Sequence, residues 1–453
     1  MPAPLHVVIL AAGQGTRMRS RLPKVLHAIA GRSMLGHVLD AARALNAAGC
    51  HVVHGHGAEA VRRAFAADKD VTWVLQAEQK GTGHAVAQAL PGIPATANVL
   101  ILYGDVPLAR AETLWPLLQG KSLALLAAMP TDPKGYGRIV RKAGRVAGIV
   151  EDKDANPAQR KIREVNTGIL FAPARLLKRW VPKIGNKNAK GEYYLTDIVA
   201  MAVKDKVKVS AHVVADFAEV QGVNDPGQLA SAERAFQLRR AMHLMTEGLQ
   251  IRDPARFDLR GSVTFGRDCV LDVGVVLEGI VELGDGVNIG PYSVLRNVTV
   301  GAGTRIESHC VLDGATIGSD CRIGPFARLR PEASLADEVH IGNFVEVKKS
   351  HIGKRSKANH LAYLGDATVG ENVNVGAGTI TCNYDGANKH ATVIEDDVFV
   401  GSNTQLVAPV IVRKGATIGA GSTITKDVPP GALAVCRAKE QKHYPNWKRP
   451  QKP

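Results

Sequence analysis

Aromatic residues are scarce in this chain, 5% of its 453 positions. Such a composition suits narrow interiors that Ile, Leu and Val can fill. No segment approaches the ~18 consecutive apolar residues of a membrane span, and the best runs, near Leu123 to Met129, are far shorter. The opening MPAPLHVVILAAG has no charged n-region, so no signal peptide is read. A cytoplasmic protein with no integral membrane association is expected. Its six cysteines (Cys50, Cys269, Cys310, Cys321, Cys382 and Cys436) show neither CxxC pairing nor zinc spacing, which points to free thiols in a reducing compartment. Acidic residues are outnumbered and the net charge is +15. The Lys and Arg are nonetheless scattered without a DNA- or RNA-binding motif, so small anionic substrates fit better than nucleic acid. The densest basic stretch, Arg437 to Lys452, carries Pro445 and Pro450 and reads as an extended tail.

What is present is a count in sixes from Phe265 to Ile424. Leu271, Leu277, Leu283, Ile289 and Leu295 keep the step; Ile317, Ile323, Leu329, Leu335, Ile341 and Val347 keep it again; so do Ile394, Val400, Leu406, Val412, Ile418 and Ile424. Neither a helix nor a flat strand has this period. It is the signature of a parallel β-helix, in which one aliphatic residue per short strand points inward and a small residue turns the corner. The register slips by one at Leu295 to Val300, Leu312 to Ile317, Val347 to Ile352 and Leu364 to Val369, as if some coils have one shortened side. Three hexads per coil give roughly eight or nine coils and a prism ~40 Å long at ~4.8 Å per strand. A stack of hexads by itself specifies shape and no chemistry.

Residues 5 to about 224 alternate apolar strands, such as Val7 to Ala11 and Val99 to Tyr103, with helical stretches such as Met34 to Leu45. That alternation argues for an α/β domain with a mostly parallel sheet. Asp225-Pro226 offers a cap followed by proline at a first helical position, and 227 to 249 is a run of helix formers. The expected organisation is a Rossmann-like domain over 1–226, a linker helix over 227–249 and a hexapeptide-repeat domain with a basic tail over 250–453.

After the first strand comes LAAGQGTRM and then LPK, placing Leu10, Ala11, Ala12, Gly13, Arg17 and Lys24 together. Glycines just past a strand let backbone N–H groups approach phosphates, which Arg17 and Lys24 can neutralise. The motif is neither a Walker loop nor GxGxxG, since Met18 stands where the third glycine belongs. Gln76, Gly81 and Thr82 in QAEQKGTGHAV can read a base, and YGDVPL puts Asp105 at a strand end, well placed to hold Mg²⁺. Within the prism, GTITCNYDGANKH (378–390) is too polar to be core. With His360 and Tyr363 in KANHLAYLGDA, Glu346 and Lys348 in FVEVKKS, and Arg330 in FARLRP, it forms a polar cluster that a mere scaffold would not need.

These motifs, with GYGRIV, IVEDKDA, VNTGI and VNDP, resemble over nearly the whole chain the bacterial bifunctional N-acetylglucosamine-1-phosphate uridyltransferase and glucosamine-1-phosphate acetyltransferases. The resemblance implies a left-handed β-helix, a homotrimer sharing acetyl sites between chains, and a place in peptidoglycan and lipopolysaccharide precursor synthesis. It implies that Leu10 to Gly13, Lys24, Gln76, Gly81, Thr82, Tyr103, Gly104 and Asp105 contact UTP or UDP-N-acetylglucosamine. Gly137, Glu151, Asn166 and Asn224 would close around the sugar, with Asp105 and Asn224 holding Mg²⁺. His360 would be the general base of acetyl transfer, with Glu346 expected to orient it. Arg330, Lys348, Tyr363, Asn374 and Lys389 would hold the acceptor sugar phosphate. Ala377, Asn383, Tyr384, Ser402, Ala420 and Arg437 would line the acetyl-CoA groove.

Rival readings are a monofunctional sugar nucleotidyltransferase with a regulatory β-helix, which would not need His360 or the NYDGANK loop, and a purely structural prism. A zinc hydratase would need three of His309, His340, His351 and His360 to converge, yet they sit at different positions of the hexad register.

Overall fold

The computed structural model of the chain describes residues 3–437. It divides into two compact units at Phe236/Gln237, inside a helix that spans Pro226–Thr246. Asp225 starts this helix, its carboxylate accepting from the Gln228 N–H at 2.9 Å. The helix stops short of 249, where the Leu249 N–H turns back to the Leu244 carbonyl at 3.0 Å.

In the first unit the main sheet runs, in spatial order, Val209–Val213, Leu123–Ala128, Val165–Pro173, Asn98–Tyr103, Leu5–Ala11, Gly49–His54 and Val71–Leu75. Val165–Pro173 is antiparallel to both neighbours and the other pairs are parallel. Successive residues of Leu5–Ala11 face opposite cores: Val8 joins Val53, Val99 and Ile101, while Val7 and Ile9 join Val52, Leu100 and Leu102. Two covered faces explain why these strands read as continuous apolar runs. After building outward to Val71–Leu75, the chain returns to pair Asn98–Tyr103 on the other side of Leu5–Ala11. That reversal opens a crevice at the carboxyl ends of Leu5–Ala11 and Asn98–Tyr103, where open α/β sheets take their ligands.

The second unit is a parallel stack. One inward ladder reads Leu271, Ile289, Ile306, Ile323, Ile341, Ala358, Val375, Val400 and Ile418, all buried. Its steps are 17 or 18 residues, the shorter ones falling where the hexad register slips. The single step of 25, from Val375 to Val400, admits the polar NYDGANK loop. The stack reaches beyond the hexad stretch at both ends, from Gln250–Ile251 to Leu433–Ala434, giving eleven strands on this face. Phe257 is buried in the core of this unit, while other rings sit outside it. Tyr292, His309, Phe326 and Phe344 occupy one corner at φ of 57–59°, their rings stacked with centroids 5.3, 5.0 and 5.4 Å apart.

Candidate active sites

At the crevice of the α/β unit lies a cavity of about 280 Å³ lined by Leu10, Ala11, Ala12, Gly13, Lys24, Gln76, Gly81, Thr82, Tyr103 and Asp105. Each comes from the last residues of a strand, from just past one, or from a helix start. Gly13 has nothing within 4 Å of where a Cβ would stand, so its backbone is open to a ligand. Gly15, at φ +64°, lets Lys24 pass: a Cβ there would lie 2.6 Å from that of Lys24. Gly81, at φ +108°, lies against the Tyr193 backbone, 2.8 Å from a would-be Cβ, and leads into the helix Thr82–Ala89. Gln76 is aimed by Nε2, which donates to the Gly81 carbonyl at 3.2 Å and sits 3.0 Å from His84 Nδ1.

Asp105 follows Asn98–Tyr103, and Gly104 donates its N–H to the Leu10 carbonyl at 2.9 Å, tying the two strand ends together. The Lys24 ammonium is ion-paired to Asp105 Oδ2 and donates to Asn224 Oδ1 at 3.2 Å. Asn224 is held in turn by helix-start chemistry. Its N–H donates to the Gln228 side chain at 2.7 Å, while the preceding Val223 N–H donates to the Asp105 carbonyl at 2.8 Å.

Gly137, Glu151 and Asn166 form a second group. The Asn166 N–H donates to the Gly137 carbonyl at 2.8 Å, and a Cβ on Gly137 would meet both Glu151 carboxylate oxygens at 3.4 Å. Asn166 is buried with its side-chain oxygen lacking any partner among the described residues, a sign of an acceptor awaiting a donor. Burial pushes the Glu151 carboxyl up, partly offset by the hydrogen bond from Thr196. Tyr103 connects the two groups: its phenol bonds Thr82 and feels both Glu151 and Asp105, and burial above all drives its pKa up.

Arg17 stands apart, exposed in the short turn Thr16–Met18 and outside the cavity lining. Two participants escape the motif reading. Gln79 lines the cavity and donates to the Ala12 carbonyl at 2.7 Å. Thr196 donates to Glu151 at 2.9 Å. Thr196 lies in GEYYLTD, where tyrosines and a threonine crowded beside two acids were the available signal.

On the prism, His360 is exposed at a corner, one rung above Asn343, whose Oδ1 lies 2.8 Å from the imidazole Nδ1. Glu346 is engaged elsewhere, accepting from Arg330 at 2.8 Å with Arg328 at 3.8 Å. The orienting contact expected of Glu346 is therefore made by Asn343, because the coil repeat stacks residue 343 under residue 360. A rung count of 17 would have found it.

Glu346 and Tyr363 share a ladder on the next face. Near them Lys348 is held below the usual lysine range by the neighbouring Lys389 ammonium. Asn383 donates to Asp366 and reaches the Tyr363 hydroxyl at 3.4 Å. Tyr384 is exposed on the loop. The loop is braced by Asp385, which accepts from the Ala387 and Asn388 N–H groups and pairs with His390 at 2.7 Å. Beyond His360, the Asn403 N–H donates to the Ala377 carbonyl and the Gly421 N–H to that of Ser402, so Ala377, Ser402 and Ala420 follow the same corner upward. Arg437 lies across its end, Nη2 being 3.0 Å from a would-be Cβ on Gly419. The basic tail after Arg437 lies outside the described residues.

Asn374 is not brought to Tyr363 and Arg330. It stacks on Lys357, on another face of the same prism. The four histidines of the zinc reading are likewise spread: His309 lies between Tyr292 and Phe326, His340 on the Lys357 face, His351 on the strand Ser350–Ile352 and His360 at its corner. Among the described residues, no group of three or more His, Cys, Asp or Glu could hold a metal.

Comparison with known proteins matches residues 7–169 to the MobA-like NTP transferase domain, 259–352 to the GMPPB C-terminal domain and 391–426 to the bacterial transferase hexapeptide (six repeats). The chain is 60% identical to the bifunctional protein GlmU of Alkalilimnicola ehrlichii, over 99% of this chain and 97% of that one. It is 56% identical to GlmU of Stenotrophomonas maltophilia, over the whole of both chains. With GlmU of Marinobacter nauticus the identity is 57%, over 99% of this chain and all of that one.

Proposed function

The chain belongs to the family of the bifunctional protein GlmU, and from that premise we propose how two sites divide its work. It is both an N-acetylglucosamine-1-phosphate uridyltransferase and a glucosamine-1-phosphate acetyltransferase, not a nucleotidyltransferase with an inert prism. One observation carries the division. Two separate polar sites stand on two separate units, one on a nucleotide-type crevice and the other around an exposed imidazole.

In the α/β unit, a sugar 1-phosphate oxygen attacks the α-phosphorus of UTP and pyrophosphate leaves. That transition state asks for alignment and neutralised charge. Gln76 and the Gly81–Thr82 helix start receive the uracil and ribose end, and the open backbone at Gly13 meets the phosphates. Lys24 supplies an ammonium to the same oxygens, and Glu151 and Asn166 present acceptors to sugar hydroxyls and amide. Asp105 and Asn224 suit Mg²⁺. Their two hard oxygens already converge on one cation, the Lys24 ammonium, and they leave the remaining coordination to phosphates and water. When bound, the ion neutralises charge on the phosphate chain.

In the prism, the glucosamine amine attacks the acetyl thioester carbonyl and coenzyme A leaves as the thiol. An ammonium cannot attack, so a base must hold its proton. With Asn343 Oδ1 accepting from Nδ1–H of His360, a tautomer assigned from the hydrogen-bond network, the Nε2 lone pair is free for that proton. Arg330 and Lys348 bind the sugar phosphate, with Lys389 beside them. Ala377, Asn383, Tyr384, Ser402, Ala420 and Arg437 line the coenzyme groove.

Because Asn374 stands on a different face from Tyr363, a complete acceptor site calls for a second copy to supply it. A homotrimer is the proposed assembly. Free thiols at all six cysteines support a reducing, cytoplasmic location. Among the described residues no helix is long and apolar enough to cross a membrane. The direct test supplies glucosamine 1-phosphate, acetyl-CoA, UTP and Mg²⁺ and looks for UDP-N-acetylglucosamine.

A further inference from the structure

The prism stacks like residues on successive rungs, so any charged column must cope with its own repulsion. One column does so by alternating sign. Arg260, Glu278, Arg296 and Asp313 follow one another, with contacts of 2.8, 2.5 and 3.3 Å between successive members. Another column does the opposite. Arg305, Arg322, His340 and Lys357 occupy four consecutive rungs, and no carboxylate among the described residues lies within ion-pair range of any of them. Arg305, Arg322 and Lys357 are exposed, and the His340 imidazole is driven down by burial and then by Arg322, Lys357 and His360 around it. Lys357 opens the strand Lys357–His360 that ends in the proposed base, and the next rung is Asn374.

We propose that this column is an anion-guiding track. It draws the phosphorylated substrates of acetyl transfer, which both carry a phosphate monoester, along the prism face toward His360. The proposal rests on the placing of the acetyl site at His360. Unpaired cations in a row set up a field that raises local anion concentration and encounter rate, and that salt screens.

The test is Arg305→Gln/Arg322→Gln in the full chain, two positions away from the groups assigned to chemistry. Acetyl transfer is measured at ionic strengths of about 20 and 500 mM, varying glucosamine 1-phosphate and acetyl-CoA in turn with the other saturating. The track predicts kcat/KM lower by about 3- to 10-fold at low salt for at least one substrate. It also predicts kcat within about 2-fold, a gap that closes at high salt, and unchanged uridylyl transfer. The arm that responds tells which substrate is guided. Equal kcat/KM at low salt, a deficit that persists at high salt, or a changed oligomeric state by light scattering would each overturn it. His360→Ala run alongside separates the two ideas. Loss of turnover at every salt supports the acetyl site whatever the track does, and retained turnover removes that site whatever the salt dependence.

Discussion

The Lys24 ammonium is ion-paired to Asp105 Oδ2, and Asn224 Oδ1 lies 3.2 Å from the same nitrogen. A cation thus already bridges the two oxygens proposed for Mg²⁺. On that proposal Lys24 and Mg²⁺ would compete for one pair of acceptors, which would leave the lysine to the phosphates.

Asp105→Asn removes the one carboxylate of this arrangement. Pyrophosphate release is expected to fall by at least about 100-fold, with a higher Mg²⁺ requirement. Lys24→Ala is expected to lower the rate comparably without raising that requirement. Steady-state release at graded Mg²⁺ checks both, and an Asp105→Asn enzyme of normal rate at limiting Mg²⁺ would contradict the metal assignment.

Glu151 offers a pH signature. Its carboxyl is raised by burial, so the folded state binds this proton more tightly than the unfolded chain. Stability from that proton is present below the ordinary carboxyl range and is lost as pH rises through the raised value. Glu151→Gln should therefore be more stable than the parent at pH 7.5, and the gain should vanish toward pH 4. Its KM for N-acetylglucosamine 1-phosphate should rise about 10- to 100-fold. Thermal melts across pH and KM measurements check the two halves independently.

Asn343 is expected to act through His360. Asn343→Ala should lower acetyl-transfer kcat about 10-fold or more with little change in KM. Asn343→Asp places a negative charge beside the imidazole, favouring its protonated form, so the acid limb of the pH–rate profile should move to higher pH. A profile that does not move in Asn343→Asp would assign Asn343 a purely structural place.

Phe344 and Leu361, 56% and 61% exposed, follow Asn343 and His360 directly on the prism corner. A charge there should oppose packing between copies. Phe344→Glu is expected to shift the proposed trimer toward monomer in light scattering and to lower acetyl transfer in proportion, leaving uridylyl transfer intact. A monomeric variant with full acetyltransferase activity would rule out a shared site.

The prism was legible down to its coil slips, because hexads repeat and each register slip is a missing residue that counting detects. Its ends were not, since Gln250–Ile251 and Leu433–Ala434 carry too few inward aliphatics to keep the count. Ten residues of the motifs proposed for nucleotide binding line one cavity, because those motifs are contiguous and sit at strand ends. What sequence reading missed depends on contacts between distant segments. Gln79 reaches Ala12 across the crevice, Thr196 comes from the cap of a distant helix to Glu151, and Asn343 meets His360 only because one coil lies on the next. The resemblance implies an orienting role for Glu346, whereas its carboxylate is taken up by Arg330 from the neighbouring rung.

The central claim is that two chemistries occupy separate residues of one chain. Each half-reaction assayed alone on His360→Ala and on Asp105→Asn tests it most directly. The account predicts that His360→Ala loses acetyl transfer across pH 6 to 9 yet converts N-acetylglucosamine 1-phosphate at the parent rate, and that Asp105→Asn does the reverse. Near-normal acetyl transfer by His360→Ala, or joint loss of both activities in either folded variant, would contradict it.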